Sequence, residues 1–249
     1  WAREIAFFKA AAAGGAPQNG VNAQYAAMLG LQACNALRET FPDGDSIRFH
    51  PIMMGVNCAV NIIPDEMRIE SYVRARSIEA IVRENKKVNR ALAMGAGVEL
   101  HDRPGYFPEY HDPAYMKLVE QCCRDLVGAE HVSFSPTGWT TGSSDFGDLT
   151  AVMPGVQFTA TGAAGTGHGI DYHVADADRL CCNSAKAQLF VADALLSDGA
   201  KRAQEIIAGY QPKYPSIQAY FAAVDAMFLD KDAVQYDANG NATLDYQNC

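Results

Sequence analysis

The sequence has no apolar run of the ~18 residues that a membrane-spanning helix requires. Its opening, Trp1-Ala2-Arg3-Glu4-Ile5, lacks the charged start and apolar stretch of a signal peptide. Nor is there a surplus of positive charge: 20 Lys+Arg stand against 29 Asp+Glu, a formal charge of −9. Neutralising phosphates takes a concentrated basic face. The nearest thing to one, residues 83–90, is interrupted by Glu84 and falls on a predicted helix, where charges are normally solvated. Neither nucleic acid nor a membrane is therefore an expected partner. The cysteines are Cys34, Cys58, Cys122, Cys123, Cys181, Cys182 and Cys249. Being odd in number and including two adjacent pairs, they fit neither a disulfide framework nor a spaced zinc knuckle. Reduced thiols and a cytoplasmic location are the expectation.

What is present suffices for a sizeable core. The 249 residues, 49% hydrophobic and 20% charged, suit one large domain or two modest ones. Residues 1–8 read as a strand, followed by a small-residue loop over 10–20. Val21, Tyr25, Met28, Leu29, Ala33, Ala36 and Leu37 recur at spacings of three and four, which predicts a helix burying that stripe. Pro42-Asp43-Gly44 ends it with turn chemistry. Residues 47–54 have strand character. Met67, Ile69, Ser71, Val73 and Ala75 then alternate with Arg68, Glu70, Tyr72, Arg74 and Arg76, the period of a sheet with one solvated face. Ser77 suits the cap of a second helix, whose stripe is Ile78, Ile81, Val82, Asn85, Val88 and Leu92. With a last strand over 97–101, the order is βαββαβ, a ferredoxin-like unit.

The second region reads as α/β. A helix over 112–127 carries Pro113 in its first turn. A glycine- and serine-rich loop over 136–148, a buried strand over 152–159, a second glycine-rich loop over 161–169 and a long helix over 178–196 follow. These strands are too few for a complete α/β domain. Residues 198–228 suggest two more helices broken at 210–215, and residues 234–246 alternate about Asn239-Gly240, a hairpin signal. Asp237, Asn239, Asn241 and Asp245 also evoke a calcium loop, but Ala242 stands where such a loop requires glycine and Asn248 where it requires a bidentate acid.

Three clusters carry chemistry. In Gly55-Val56-Asn57-Cys58-Ala59-Val60-Asn61-Ile62-Ile63-Pro64-Asp65-Glu66, Asn61 precedes a strand and can offer an amide. Arg74, on the polar face of that strand, has a guanidinium suited to a carboxylate. Taken alone, the two read as a turn residue and a surface ion pair. Gly142-Ser143-Ser144-Asp145-Phe146-Gly147-Asp148 holds two carboxylates three apart and could line a site, bind a cation or cap a helix. In Gly165-Thr166-Gly167-His168-Gly169-Ile170-Asp171-Tyr172-His173, histidines between glycines can reach a metal or substrate with little hindrance. Neither glycine-rich loop has the lysine of a P-loop or the spacing of a dinucleotide fingerprint.

In order and separation these clusters resemble the amidohydrolase family of aminoacylase, carboxypeptidase G, indole-acetyl-amino-acid hydrolases and p-aminobenzoyl-glutamate hydrolase. Lys9-Ala10-Ala11-Ala12-Ala13-Gly14-Gly15-Ala16-Pro17 is similar to the family's lid motif. Asn61-Ile62-Ile63-Pro64 is similar to its Asn-Val-Ile-Pro signature, with Arg74 at the expected distance. Ser144-Asp145-Phe146-Gly147-Asp148 is similar to its Ser/Thr-Asp-Met-Gly-Asp stretch, and His168 with Tyr172 to its His-x-x-x-Phe/Tyr. The resemblance spans about residues 1–210.

It implies an α/β chain with an α+β lid: a ferredoxin-like βαββαβ lid and dimerisation domain over 1–105, the C-terminal part of an α/β zinc-hydrolase domain over 106–210, and a helical and β-hairpin extension over 211–249. It implies two zinc ions, with His168 as one ligand, and Asn61 and Arg74 gripping the carboxylate of a small amide substrate such as an N-acyl amino acid. It also implies a homodimer through the lid. Paired metals lower the pKa of an attacking water, and an arginine clamp orients the acid end. Two departures stand out. The family's other metal ligands and its general-base glutamate precede the lid, and nothing precedes Trp1 here, so this chain alone is expected to be inactive. The lid histidine that assists at the oxyanion aligns with Ala12, and Val56 replaces a usual glycine. A non-catalytic dimerisation or ligand-binding module is the alternative expectation.

Overall fold

Alternation of apolar and polar side chains over residues 66–74 demands a strand with one wet face, and that strand is central to the first of two units. The computed structural model describes residues 2–7, 11–12, 15–54, 59–94, 97–135, 144–239 and 241–247. The chain divides into Trp1–Gly105 with Phe221–Cys249, and Tyr106–Tyr220.

The first unit runs β1 (Ala2–Phe7), β2 (Ala11–Ala12), α1 (Ala23–Leu37), β3 (Arg48–Met54), β4 (Ile62–Ile63), β5 (Glu66–Arg74), α2 (Ile78–Leu92) and β6 (Gly97–Asp102). β1 lies between β5 and β6, and β3 pairs with the far side of β5, all antiparallel. This is the ferredoxin-like order that the βαββαβ pattern predicts. β2 and β4 form a separate ribbon, Ala11 opposite Ile63 and Ala12 opposite Ile62. Met67, Ile69 and Ser71 are buried, while Tyr72 on the other face is exposed. Phe49, Met67 and Ile69 from the sheet meet Ala23, Ala27 and Cys34 of α1 and Val88 and Leu92 of α2.

Both helices begin on side-chain caps, which satisfy backbone N–H groups that have no intrahelical partner. Asn22 Oδ1 accepts from the N–H of Gln24 at 2.9 Å and of Tyr25 at 3.2 Å. Ser77 Oγ accepts from the N–H of Ala80 at 3.2 Å. Between α2 and β6, the side-chain amides of Asn85 and Asn89 donate to Asp102 Oδ2 at 2.7 and 2.8 Å. Burial holds the Asp102 carboxyl above its ordinary value against these two donors.

The buried face of α1 is not the one its large residues predict. Val21, Tyr25, Met28 and Leu29 are exposed, and Ala23, Ala26, Ala27, Gly30 and Cys34 are buried. The reason is close approach: a Cβ on Gly30 would lie 2.8 Å from the Leu92 carbonyl oxygen. Small residues therefore form the contact, and Leu31, Ala33 and Leu37 cover its margin.

The second unit holds α3 (Pro113–Val127), α4 (Phe146–Thr150), β7 (Ala163–Ala164), β8 (His173–Val174) and α5 (Asn183–Gly209), with the first turn of α6 (Ile217–Asp225). Asp112 caps α3, accepting from the N–H of Tyr115 at 2.8 Å, with Pro113 at its first position. α5 follows a π-helical turn, Asp178–Cys182, and breaks at Ser197–Ala200, where Asp198, Gly199 and Ala200 take φ of 53°, 68° and 61°. Val119, Cys122 and Val191 form its small core, with Val156 and Phe158 packed against it. The strand expected over 152–159 is corrected: residues 154–159 pair with no strand among the described residues. Extended backbone becomes a strand only when a neighbour supplies the hydrogen-bond ladder.

The C-terminal residues, expected as an extension of their own, belong largely to the first unit. β9 (Leu229–Tyr236) pairs antiparallel with β6, and β10 (Ala242–Leu244) pairs with β9. The full sheet is β10-β9-β6-β1-β5-β3. The pairing is favoured because Ala233 and Val234 complete an apolar cluster with Val98, Leu100, Ala26 and Ala93. In the turn, Asp237 Oδ1 accepts from the N–H groups of Asn239 and Asn241, each at 2.8 Å, so this acid serves the hairpin. No helix among the described residues is long and apolar enough to cross a membrane.

Candidate functional site

Asn61 is exposed in the turn that leads into β4. Ala12, where the resemblance puts a catalytic lid histidine, lies across from Ile62 in the neighbouring ribbon. Both sit beyond the Glu66 end of β5, because the Phe7 end of β1 pairs there. Arg74 is the last residue of β5. A strand of nine residues spans about 26 Å at ~3.3 Å per residue. The first unit thus brings Asn61 and Ala12 to one end and puts Arg74 at the other. The Arg74 guanidinium carbon lies 5.7 Å from the centre of the Tyr72 ring, a cation–π distance.

In the second unit, the segment beginning at Ser144 is bound into structure. Ser144 Oγ accepts from the N–H of Phe146 at 3.3 Å and donates to Glu109 Oε1 at 3.1 Å. Glu109 Oε2 is 2.9 Å from His111 Nε2. The carboxylate stands between hydroxyl and imidazole, so His111 has no contact through which to activate Ser144, unlike a nucleophile–His–acid relay. The Tyr220 hydroxyl donates to Asp148 at 2.8 Å. Burial first, and then this bond, pushes Tyr220 up to about 12. Gly147 is required by contact: a Cβ there would lie 1.8 Å from the Phe107 carbonyl oxygen. Gly142, Ser143 and the rest of 136–143 lie outside the described residues, as do Val56, Lys9 and Gly240.

His168 stands at the tip of the loop between β7 and β8, exposed and in the left-handed region with φ 64°. Such a φ is uncommon outside glycine and is tolerated best by His, Asn and Asp. The loop closes on Asp171, whose Oδ2 accepts from the N–H of Thr166 at 3.2 Å, and on a Gly169 N–H bond to the Thr166 carbonyl at 2.7 Å. A zinc site needs at least three protein ligands. Among the described residues no three His, Cys, Asp or Glu side chains converge to hold a metal. His168 by itself therefore does not fit a zinc centre.

No family model matches the chain. The Xaa-Arg dipeptidase of Mus musculus is 29% identical over 159 residues, 60% of this chain and 36% of that protein. An aminohydrolase from methicillin resistant Staphylococcus aureus superposes with a TM-score of 0.57 at 20% identity, covering 77% of this chain and 50% of that one. Aminopeptidase PepT from Bacillus cereus gives 0.52 at 18% identity, over 77% and 49%. This chain shares the fold of the matched part of these two solved structures. It spans about a third to a half of the length of these hydrolases.

Three groups escape a motif-based reading. Glu109 touches Ser144 from 35 residues upstream, His111 touches Glu109, and only the spacing of two between Glu109 and His111 hints at their pairing. Tyr220 reaches Asp148 across 72 residues. Arg48 lies directly opposite Arg74 in the β3–β5 register, which alternation alone cannot foretell.

Proposed function

We propose that this chain is the lid and the C-terminal part of the catalytic domain of a zinc-dependent amidohydrolase, cleaving an N-acyl amino acid or a similar amide with a free carboxylate. The observation that carries the reading is His168, held outward at a loop tip in a backbone conformation that costs energy for any L-residue. The fold shared with peptide- and amide-bond hydrolases supports it. In this reading Asn61 and Arg74 bind the substrate carboxylate, and His168 is one zinc ligand. The remaining ligands come from outside the described residues.

The opposite placement of Asn61 and Arg74 then calls for a homodimer through the lid. Among the described residues β3 has a neighbour on one side only, and it carries exposed Ile52, Met53 and Met54. Two copies meeting antiparallel along β3 would bring the Arg74 end of one to the Asn61 end of the other. Pro51, which lacks an N–H, leaves that edge one donor short, so apolar contact must supply much of the association.

Zinc analysis, hydrolysis of N-acyl amino acids and light scattering on the full gene product test this reading. Expected are bound zinc and turnover, both lost in His168→Ala, and a dimer that Ile52→Lys dissociates. Turnover that persists in a metal-free protein, or His168→Ala retaining full zinc, overturns the metal assignment. A monomer at high micromolar concentration overturns the two-copy site.

A further inference from the structure

The cations around Arg74 form a group that no motif marks. Arg48 and Arg74 are directly opposite in antiparallel register, and His50 opposite Tyr72 is the next pair on the same face. Side chains so placed have Cβ atoms about 5 Å apart, and like charges there are destabilising. Arg38 arrives from the end of α1, its Nη2 donating to the Phe49 carbonyl at 3.4 Å and its Nε to Asn35 Oδ1 at 3.3 Å. Arg48 Nη1 donates to the Ile47 carbonyl at 3.0 Å. Each of these guanidiniums therefore meets only neutral groups among the described residues. Elsewhere in the same unit Arg68 pairs with Glu66, Arg83 with Asp45 and Glu84, and Arg103 with Asp230. All three free cations act on one imidazole: partial burial, then Arg74, Arg38 and Arg48, hold His50 below its ordinary value.

We infer that Arg38, Arg48 and Arg74 form an oxyanion site on the wet face and outer edge of β3, for a group carrying two negative charges, a dicarboxylate or a phosphate. Three guanidiniums with unused donors provide more charge and more planar forks than one carboxylate can satisfy. A doubly charged ligand offsets the repulsion between Arg48 and Arg74. The inference deepens the reading of Arg74 as a substrate clamp and rests on it for one point only, that the acid end of the amide carries a second acid group.

His50 is the reporter. Its imidazole resonances are followed by NMR at fixed pH and matched ionic strength while glutarate, inorganic phosphate or acetate is added to the chain. Expected is a saturable shift with glutarate or phosphate, whichever is the better fit naming the ligand's chemistry, and only a weak, unsaturated response to acetate. Arg48→Gln and Arg38→Gln should each weaken binding about fivefold, the scale of one exposed charge-assisted contact. Arg48→Lys keeps the charge and should recover part of the loss. No saturable shift with either dianion, or acetate matching them, overturns the site, as does undiminished binding in both glutamine variants when circular dichroism shows them folded. Dianion binding without amide turnover in the full gene product would leave the site standing and remove the hydrolase reading.

Discussion

The two units solve the problem of burying an apolar face in different ways. In the first, six strands and two helices enclose two clusters that include Leu100, Phe49 and Val88, each nearly inaccessible to solvent. In the second, three buried residues form the centre of the cluster, while Leu149, Met153, Leu189, Phe190, Leu196 and Ile207 are exposed. The difference teaches that an apolar pattern declares a need for cover without saying what provides it.

The comparison breaks most sharply at Gly147. Because the added Cβ would collide with the backbone of Phe107, Gly147→Ala should cost about 3 kcal/mol or more and unfold the second unit first, read by hydrogen exchange. Leu100→Ala in the first unit should cost about 3 kcal/mol in urea denaturation, whereas Leu189→Ala should change stability by less than about 0.5 kcal/mol. Equal losses at the two leucines would erase the contrast. Ser77→Ala should remove about 1 kcal/mol from the first unit by uncapping α2. The smallest effect is confined to alkaline solution. Tyr220, raised from 10.0 to about 12 in the folded unit, ionises first in the unfolded chain. Its contribution is fully present below pH 10 and is lost as pH climbs toward 12. Tyr220→Phe should flatten that alkaline decline in melting temperature and leave neutral pH little changed.

Legibility followed the same division. The cap at Ser77, Pro113 in the first turn of α3, alternation along β5 and a hairpin about Asn239 rest on contacts within a few residues, and each is found where the sequence puts it. The predicted face of α1 differs from the buried one because large side chains at helical spacing outweigh alanine and glycine in any periodicity count, whereas closeness to Leu92 selects the small ones. Residues 152–159 read as a strand because β-rich composition cannot reveal whether a ladder partner exists. As for the candidate site, sequence pointed to Asn61, Arg74 and His168 through the order and separation of their clusters along the chain. That Asn61 and Arg74 occupy opposite ends of one strand, and that Arg48 stands across from Arg74, depends on register.

The union of β6 with β9 bears on how the protein is made. His101 and Asp230, 2.6 Å apart in the finished sheet, are separated by 129 positions along the chain. A ribosome releases the N-terminal four strands long before the residues that cover the outer side of β6 exist. Until then that strand has an open flank, and closing the loop across an entire second unit makes this the slow step of maturation. Nascent chains stalled before residue 229 should bind chaperones that a completed chain escapes.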